Sequence, residues 1–345
     1  MMVSFTCDYS EGAHPLILQR LAETNRVQEA GYGFDTFSES AREKIRAAVN
    51  APEADVFFLV GGTQTNATVI DALLKGYEGV LAVHTGHIAV HEAGAIEESG
   101  HKVLELPSHD GKMAAADLDA YLSSFYADEA WEHMVIPGMV YLSFPTELGT
   151  LYTKEELLAI RQVCRDWEMP LFIDGARLGY GLEASGCNVL PKDLPKIADV
   201  FYIGGTKQGA LFGEAIVFSN PSLAQDFRYN IKQNGGMLAK GRLLGIQFET
   251  LMNEGLYFKL ARHADRLADR VRDAFRAKGF PFLVENTTNQ VFPILPKSAI
   301  EQLSAEFGFE RWQGVDEEHD GVRFCTSWAT PESAVRALEA AVRKL

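Results

Sequence analysis

The chain of 345 residues carries 32 Lys and Arg against 47 Asp and Glu, a formal charge of −15 with histidine neutral. That balance argues against nucleic acid or an anionic membrane as the main partner, while leaving room for a locally positive pocket that takes a small anion. At 47% hydrophobic and 23% charged the composition is that of a globular protein large enough for two domains, and no apolar run reaches membrane-spanning length.

In chain order, the first apolar run expected to form a strand is 56–60, followed by Gly61-Gly62-Thr63-Gln64-Thr65-Asn66 and a helical pattern over 65–74. Glycines let a backbone approach a ligand, and a helix start offers unpaired N–H groups, so this segment reads as a phosphate cradle or as a plain strand-to-helix turn. The run 80–84 leads into His84-Thr85-Gly86-His87, with His91-Glu92 beyond it and a helix expected over 89–99. An imidazole at a sheet mouth can stack on a flat ring. His87 and His91 are also spaced to share a helix face, yet neither an HExxH pattern nor a nearby cysteine supports a zinc site, and both could simply cap helix starts.

Further strands are expected at 102–106, 139–144, 170–174, 200–204 and 215–219, with a helix over 154–167. Strands alternating with helices predict an α/β domain built on a mainly parallel, seven-stranded sheet, with its ligand beyond the carboxyl ends of the strands. The run ending at Asp174 continues as Gly175-Ala176-Arg177, and the run 200–204 continues as Gly205-Thr206-Lys207-Gln208-Gly209. Lysines are ordinarily solvated; one delivered to the end of a buried strand can lose its proton and attack a carbonyl. A lysine for a Schiff base and a carboxylate for a pyridinium nitrogen are the two groups that pyridoxal phosphate chemistry needs most. Arg177 can form a fork to a substrate carboxylate, or simply pair with Asp174.

After Gly235-Gly236 a long helical periodicity runs over 237–278, interrupted near 253–255. Strands at 290–295 and 321–326 and a final helix over 331–344 predict a small α+β domain over 250–345, leaving 1–249 as the large domain. Arg323 lies in the second of these strands, as a closing guanidinium for the substrate or as a surface arginine. Cys7, Cys164, Cys187 and Cys325 are scattered without a CxxC spacing, which suggests free thiols, a reducing compartment and a cytoplasmic enzyme.

Gly-Gly-Thr-Gln-Thr-Asn, His-x4-Glu-Ala-Gly, Asp-Gly-Ala-Arg and the Thr-Lys before a glycine turn occur in an order and spacing that resemble the threonine aldolase/β-eliminating lyase family, a branch of the fold type I pyridoxal phosphate enzymes. The resemblance spans Asp8 to Arg323. It implies that Lys207 carries the cofactor, that Asp174 pairs with its ring nitrogen, and that His87 stacks on the ring. Gly62, Thr63 and Thr206 would bind the phosphate, and Lys232 would reach the phosphate of a neighbouring subunit in a homodimer or homotetramer. Arg177 and Arg323 would hold the substrate carboxylate, with Ser10, Tyr32 and Glu92 also around the site.

The family's usual Ser-Lys-Gly-Leu-Gly is here Thr206-Lys207-Gln208-Gly209-Ala210, and Phe144-Pro145-Thr146-Glu147 replaces a more polar loop. The Thr-Lys version resembles a subgroup that includes aldolases for aromatic substrates such as phenylserine. The activity implied is retro-aldol cleavage of a β-hydroxy-α-amino acid to glycine and an aldehyde. His87, a water held by Glu92, or Lys207 would supply the base. β-Elimination, transamination and racemisation use the same scaffold, and a non-catalytic nucleotide-binding protein is the reading from another class.

Overall fold

The computed structural model describes residues 3–345. Its large sheet has seven strands: β1 Asp55–Leu59, β2 Glu78–Val83, β3 Val103–Leu106, β4 Ile136–Ser143, β5 Leu171–Asp174, β6 Val200–Gly204 and β7 Glu214–Phe218. Their spatial order is β1-β7-β6-β5-β4-β2-β3. Every neighbouring pair is parallel except the two made by β7, which runs antiparallel to both β1 and β6. The seven strands and the mainly parallel sheet are those the alternating runs predict.

Strands β5, β6 and β7 are buried at every residue, as expected of strands covered on both faces. Side chains alternate between faces, so Phe201 and Ile203 enter one core while Val200 and Tyr202 enter the other. The covering helices start where local chemistry allows. Thr153 accepts from the Glu156 N–H while the Glu156 side chain accepts from the Thr153 N–H, a capping box that opens helix Lys154–Asp166.

The helix expected over 89–99 does not form. Two single turns, His87–Val90 and Ala95–Glu98, stand in its place. Ala93 at φ 51 and Gly94 at φ 74 are left-handed, and a right-handed helix cannot continue through them. The periodicity over 237–278 resolves into helices Arg242–Met252 and Leu256–Ala277, broken at Asn253–Gly255, where Glu254 and Gly255 are also left-handed.

The C-terminal region contains β8 Gln290–Val291, β9 Ile294–Pro296, β10 Glu310–Gly314 and β11 His319–Cys325; the other three strands pair antiparallel with β11. The expected strand at 290–295 is thus divided, and β10, whose Glu-Arg-Trp-Gln-Gly sequence is largely polar and exposed, carries no apolar signal. A third core joins helix Leu256–Ala277 to these strands and includes Phe5 of the N-terminal segment. Among the described residues no helix is long and apolar enough to cross a membrane.

Candidate active site

A cavity of about 310 Å³ opens where β1, β4, β5 and β6 end, within the range of small-molecule sites. Sheet register assembles its carboxylates: Ser143 at the end of β4 lies opposite Asp174 of β5, and Gly204 of β6 lies opposite Glu214 of β7. Of the residues expected at the site, Gly62, Thr63, His87, Asp174, Arg177, Thr206 and Lys207 line this cavity.

Lys207 sits in the connection between β6 and β7. Its loop is closed by hydrogen bonds from the N–H groups of Gly205 and Thr206 to the Gly213 carbonyl, at 2.9 and 3.1 Å. Gly209 adopts φ +99, and a Cβ there would stand 2.9 Å from a Leu260 methyl, so the turn needs glycine. Burial pulls the Lys207 amine below its usual value, reinforced by the charge of Arg177 and opposed by Asp8, Asp174 and Glu214. No ion pair or hydrogen bond holds its Nζ among the described residues.

Asp174 accepts from the Tyr202 hydroxyl at 2.5 Å, the Tyr141 hydroxyl at 2.6 Å, the Ala176 N–H at 2.9 Å and Asn66 Nδ2 at 3.0 Å. Burial alone would raise its pKa, but the His87 charge and these donors lower it below the usual carboxylate value. It therefore stays ionised, the state needed to hold a cationic ring nitrogen. Asn66 also donates to Glu92 Oε1 at 2.7 Å, and the same oxygen meets His87 Nδ1 at 2.7 Å. Burial disfavours the imidazolium, but the Glu92 hydrogen bond and the charges of Asp174 and Glu92 raise the His87 pKa overall.

Gly61 precedes the first turn of helix Gly62–Leu73 without any side-chain cap, so the first N–H groups of the helix are left for a ligand beside Thr206. The Thr206 hydroxyl donates to Glu214 at 2.8 Å, and burial pushes the Glu214 carboxyl up to about 8 against the pull of Thr206 and Lys207.

Five expected residues do not line the cavity. Glu92 lies behind His87, because the break at Ala93 and Gly94 folds it back against the imidazole. Arg323 is held by Glu310, by Gln290 Oε1 at 3.1 Å and by the Thr6 carbonyl at 3.2 Å, with its guanidinium 5.0 Å over Trp312. Ser10 is exposed, 3.1 Å from Cys7 Sγ. Lys232 and Tyr32 meet each other elsewhere on the surface, with Nζ 5.3 Å from the ring. Arg177 lines the cavity but pairs with Asp8 rather than Asp174: Nε and Nη2 donate to the Asp8 carboxylate at 2.7 and 3.1 Å. Asn289 braces the same carboxylate at 2.8 Å, leaving Nη1 without a partner among the described residues.

Sequence reading missed Asn66 and Glu214 as site residues, along with the two tyrosines that hold Asp174. Glu147 it noted only as part of an unusual loop. In the structure Glu147 lines the cavity, accepting from Ser143 Oγ at 2.5 Å and from the His87 N–H at 2.9 Å.

A half-buried lysine facing an ionised, fully hydrogen-bonded aspartate, with an open helix start alongside, defines the site's chemistry. The β-eliminating lyase family model matches residues 12–298. The chain belongs to this family. It is 32% identical over 345 residues to the low specificity L-threonine aldolase of Pseudomonas aeruginosa, covering 98% of this chain and 96% of that one. The solved structure of Leishmania major threonine aldolase superposes with a TM-score of 0.96 at 41% identity, covering 99% of both chains. A Thermus thermophilus aspartate aminotransferase, at 16% identity and a TM-score of 0.72 over 100% of this chain and 92% of that one, shares the fold.

Proposed function

We propose that this β-eliminating lyase family member is a pyridoxal phosphate-dependent aldolase that cleaves a β-hydroxy-α-amino acid of the L-threonine, L-allo-threonine or phenylserine type to glycine and an aldehyde. The observation that carries the reading is the pairing of Lys207 with the ionised, four-times hydrogen-bonded Asp174 across one cavity. These residues fit the cofactor. Lys207 offers an amine with no ion pair among the described residues, Asp174 a charge for the ring nitrogen, His87 a ring for stacking, and Gly62, Thr63 and Thr206 a cradle for the phosphate. When bound, pyridoxal phosphate supplies an electron sink for the pair released at Cα.

The chain's own residues do the rest. Asp8 fixes two nitrogens of Arg177, so the remaining edge of the guanidinium meets a substrate carboxylate in one orientation. Holding the carboxylate fixes which Cα bond lies where the sink can receive its electrons. His87, tied by Glu92, cannot swing out of the cavity without breaking a 2.7 Å hydrogen bond.

We further propose that the working enzyme is a homodimer or homotetramer in which Lys232 reaches the phosphate of a neighbouring subunit, and that its four free thiols belong to a reducing cytoplasm. Product analysis with L-threonine, L-allo-threonine and phenylserine tests the activity. Glycine and the matching aldehyde are expected in equal amounts; pyruvate, a keto acid or ammonia in their place would mean elimination or transamination.

A further inference from the structure

Three carboxylates line the cavity, and hydrogen bonding separates them. Each oxygen of Asp174 accepts from two donors, and its charge is reserved for the ring nitrogen. Both oxygens of Glu214 are engaged, one by the Thr206 hydroxyl and the other by the Gly205 N–H at 3.1 Å. Glu147 differs. Its Oε1 accepts two hydrogen bonds, from Ser143 and from the His87 backbone, whereas its Oε2 is shielded from solvent and has no partner among the described residues. A buried acceptor without a donor is costly unless something arriving in the site supplies one.

The turn that presents Glu147 is stiff. The Gly149 N–H donates to the Thr146 carbonyl at 2.8 Å, the Thr146 N–H donates to the Thr150 carbonyl at 3.1 Å, and Gln290 Nε2 donates to the Glu147 carbonyl at 3.3 Å. Other bases are poorly placed. Glu92 also has a buried oxygen, Oε2, without a partner among the described residues, but it does not line the cavity and its Oε1 is bound by Asn66 and His87. His87 has one ring nitrogen bound to Glu92, and its face is wanted for stacking. We propose that Glu147 is the base that takes the proton from the substrate's β-hydroxyl group.

This rests on the aldolase reading and completes it. The β-O–H bond breaks and its proton passes to Glu147, while the O–H electron pair becomes the second carbon–oxygen bond of the aldehyde. The Cα–Cβ bond breaks and its pair stays with Cα. Cα then takes a proton from the Lys207 ammonium to give glycine, and Lys207 regains that proton from solvent. Glu147 returns its proton to solvent once the aldehyde has left. Burial raises the Glu147 pKa above the usual carboxylate value, countered by Ser143 and the His87 N–H and aided by the Asp174 charge. The other titratable groups that feel its charge are the hydroxyls of Tyr141 and Tyr152. A carboxylate whose pKa is raised is a stronger base than an ordinary one.

The test is Glu147→Gln in the full-length holoenzyme, read in two reactions. One is cleavage of the best β-hydroxy amino acid; the other is exchange of the glycine Cα proton with deuterated water, followed by NMR, which needs no β-hydroxyl base. Cleavage is expected to fall by about 10²–10⁴-fold, while Cα exchange and the cofactor absorbance stay near those of the unmodified enzyme. Full cleavage in Glu147→Gln overturns the proposal, as does equal loss of cleavage and exchange, which marks a structural role. No cleavage by the unmodified enzyme overturns the aldolase reading as well. Ser143→Ala gives a second measurement that does not depend on how Glu147→Gln folds. Removing a donor from the carboxylate raises its pKa, so the rising limb of the kcat/KM pH profile should move up by about half to one pH unit. An unmoved limb contradicts the assignment.

Discussion

Asp174 is ionised because four donors and His87 outweigh its burial. Asp174→Asn keeps the shape and removes the charge, and should lower kcat by about 10²–10³ while leaving the fold intact, measured by steady-state kinetics beside circular dichroism. Asp8 works one step further back. Burial alone would raise its pKa, yet the charges of Arg177 and Lys207 and the hydrogen bonds from Arg177 and Asn289 bring it from 3.8 down to about 2. A lowered native pKa contributes stability above the unfolded value and loses it as pH falls through the folded one. Asp8 therefore contributes about 2 kcal/mol near neutral pH. The stability deficit of Asp8→Asn should shrink as urea titrations are repeated from about pH 4 down to about pH 2. At this scale the sequence was legible where a chemically distinctive residue ends an apolar run, as with Lys207 and Asp174. Asn66, Tyr141, Tyr202 and Glu214 were not, because sheet register and helix packing, not neighbouring residues, bring them to the cavity.

Elements show a similar division. Strands β5, β6 and β7 were legible because both faces are buried and their sequences are apolar throughout. The helix expected over 89–99 was not, since a helical pattern tolerates one glycine such as Gly94 and a left-handed Ala93 leaves no mark in composition. That break is what folds Glu92 onto His87. Helix Leu256–Ala277 carries a different tension: both carboxylate oxygens of Asp265 are buried with no partner among the described residues, and burial raises its pKa well above the ordinary value. A raised carboxyl pKa costs stability progressively as pH rises past the unfolded value. Asp265→Asn should therefore stabilise the protein by about 1–3 kcal/mol near pH 7, with a smaller gain near pH 4, as thermal melts at the two pH values would show. In the Lys207 loop, Gly209→Ala should cost about 1–2 kcal/mol from its left-handed backbone alone, and the crowded Leu260 contact adds to it.

At the scale of the whole molecule, an exposed patch of aromatics and cations stands out on the surface. Tyr32, Phe34 and Tyr229 are 46%, 68% and 73% exposed, with Arg228 4.2 Å over Phe34 and Lys232 over Tyr32. Exposed aromatics interleaved with cations suit a protein interface, and this patch carries the residue proposed to reach a neighbour's phosphate. Lys232→Ala is expected to weaken cofactor retention about ten- to a hundredfold in dialysis, the scale of one charge-assisted hydrogen bond. Phe34→Asp should move gel-filtration elution toward the monomer. Lys207 carries the chemistry proposed for the site. Borohydride reduction of the purified enzyme followed by peptide mass spectrometry should find one pyridoxyl group per chain, on Lys207 alone, and none in Lys207→Ala. An unlabelled Lys207, or the label on another lysine such as Lys232, would contradict it.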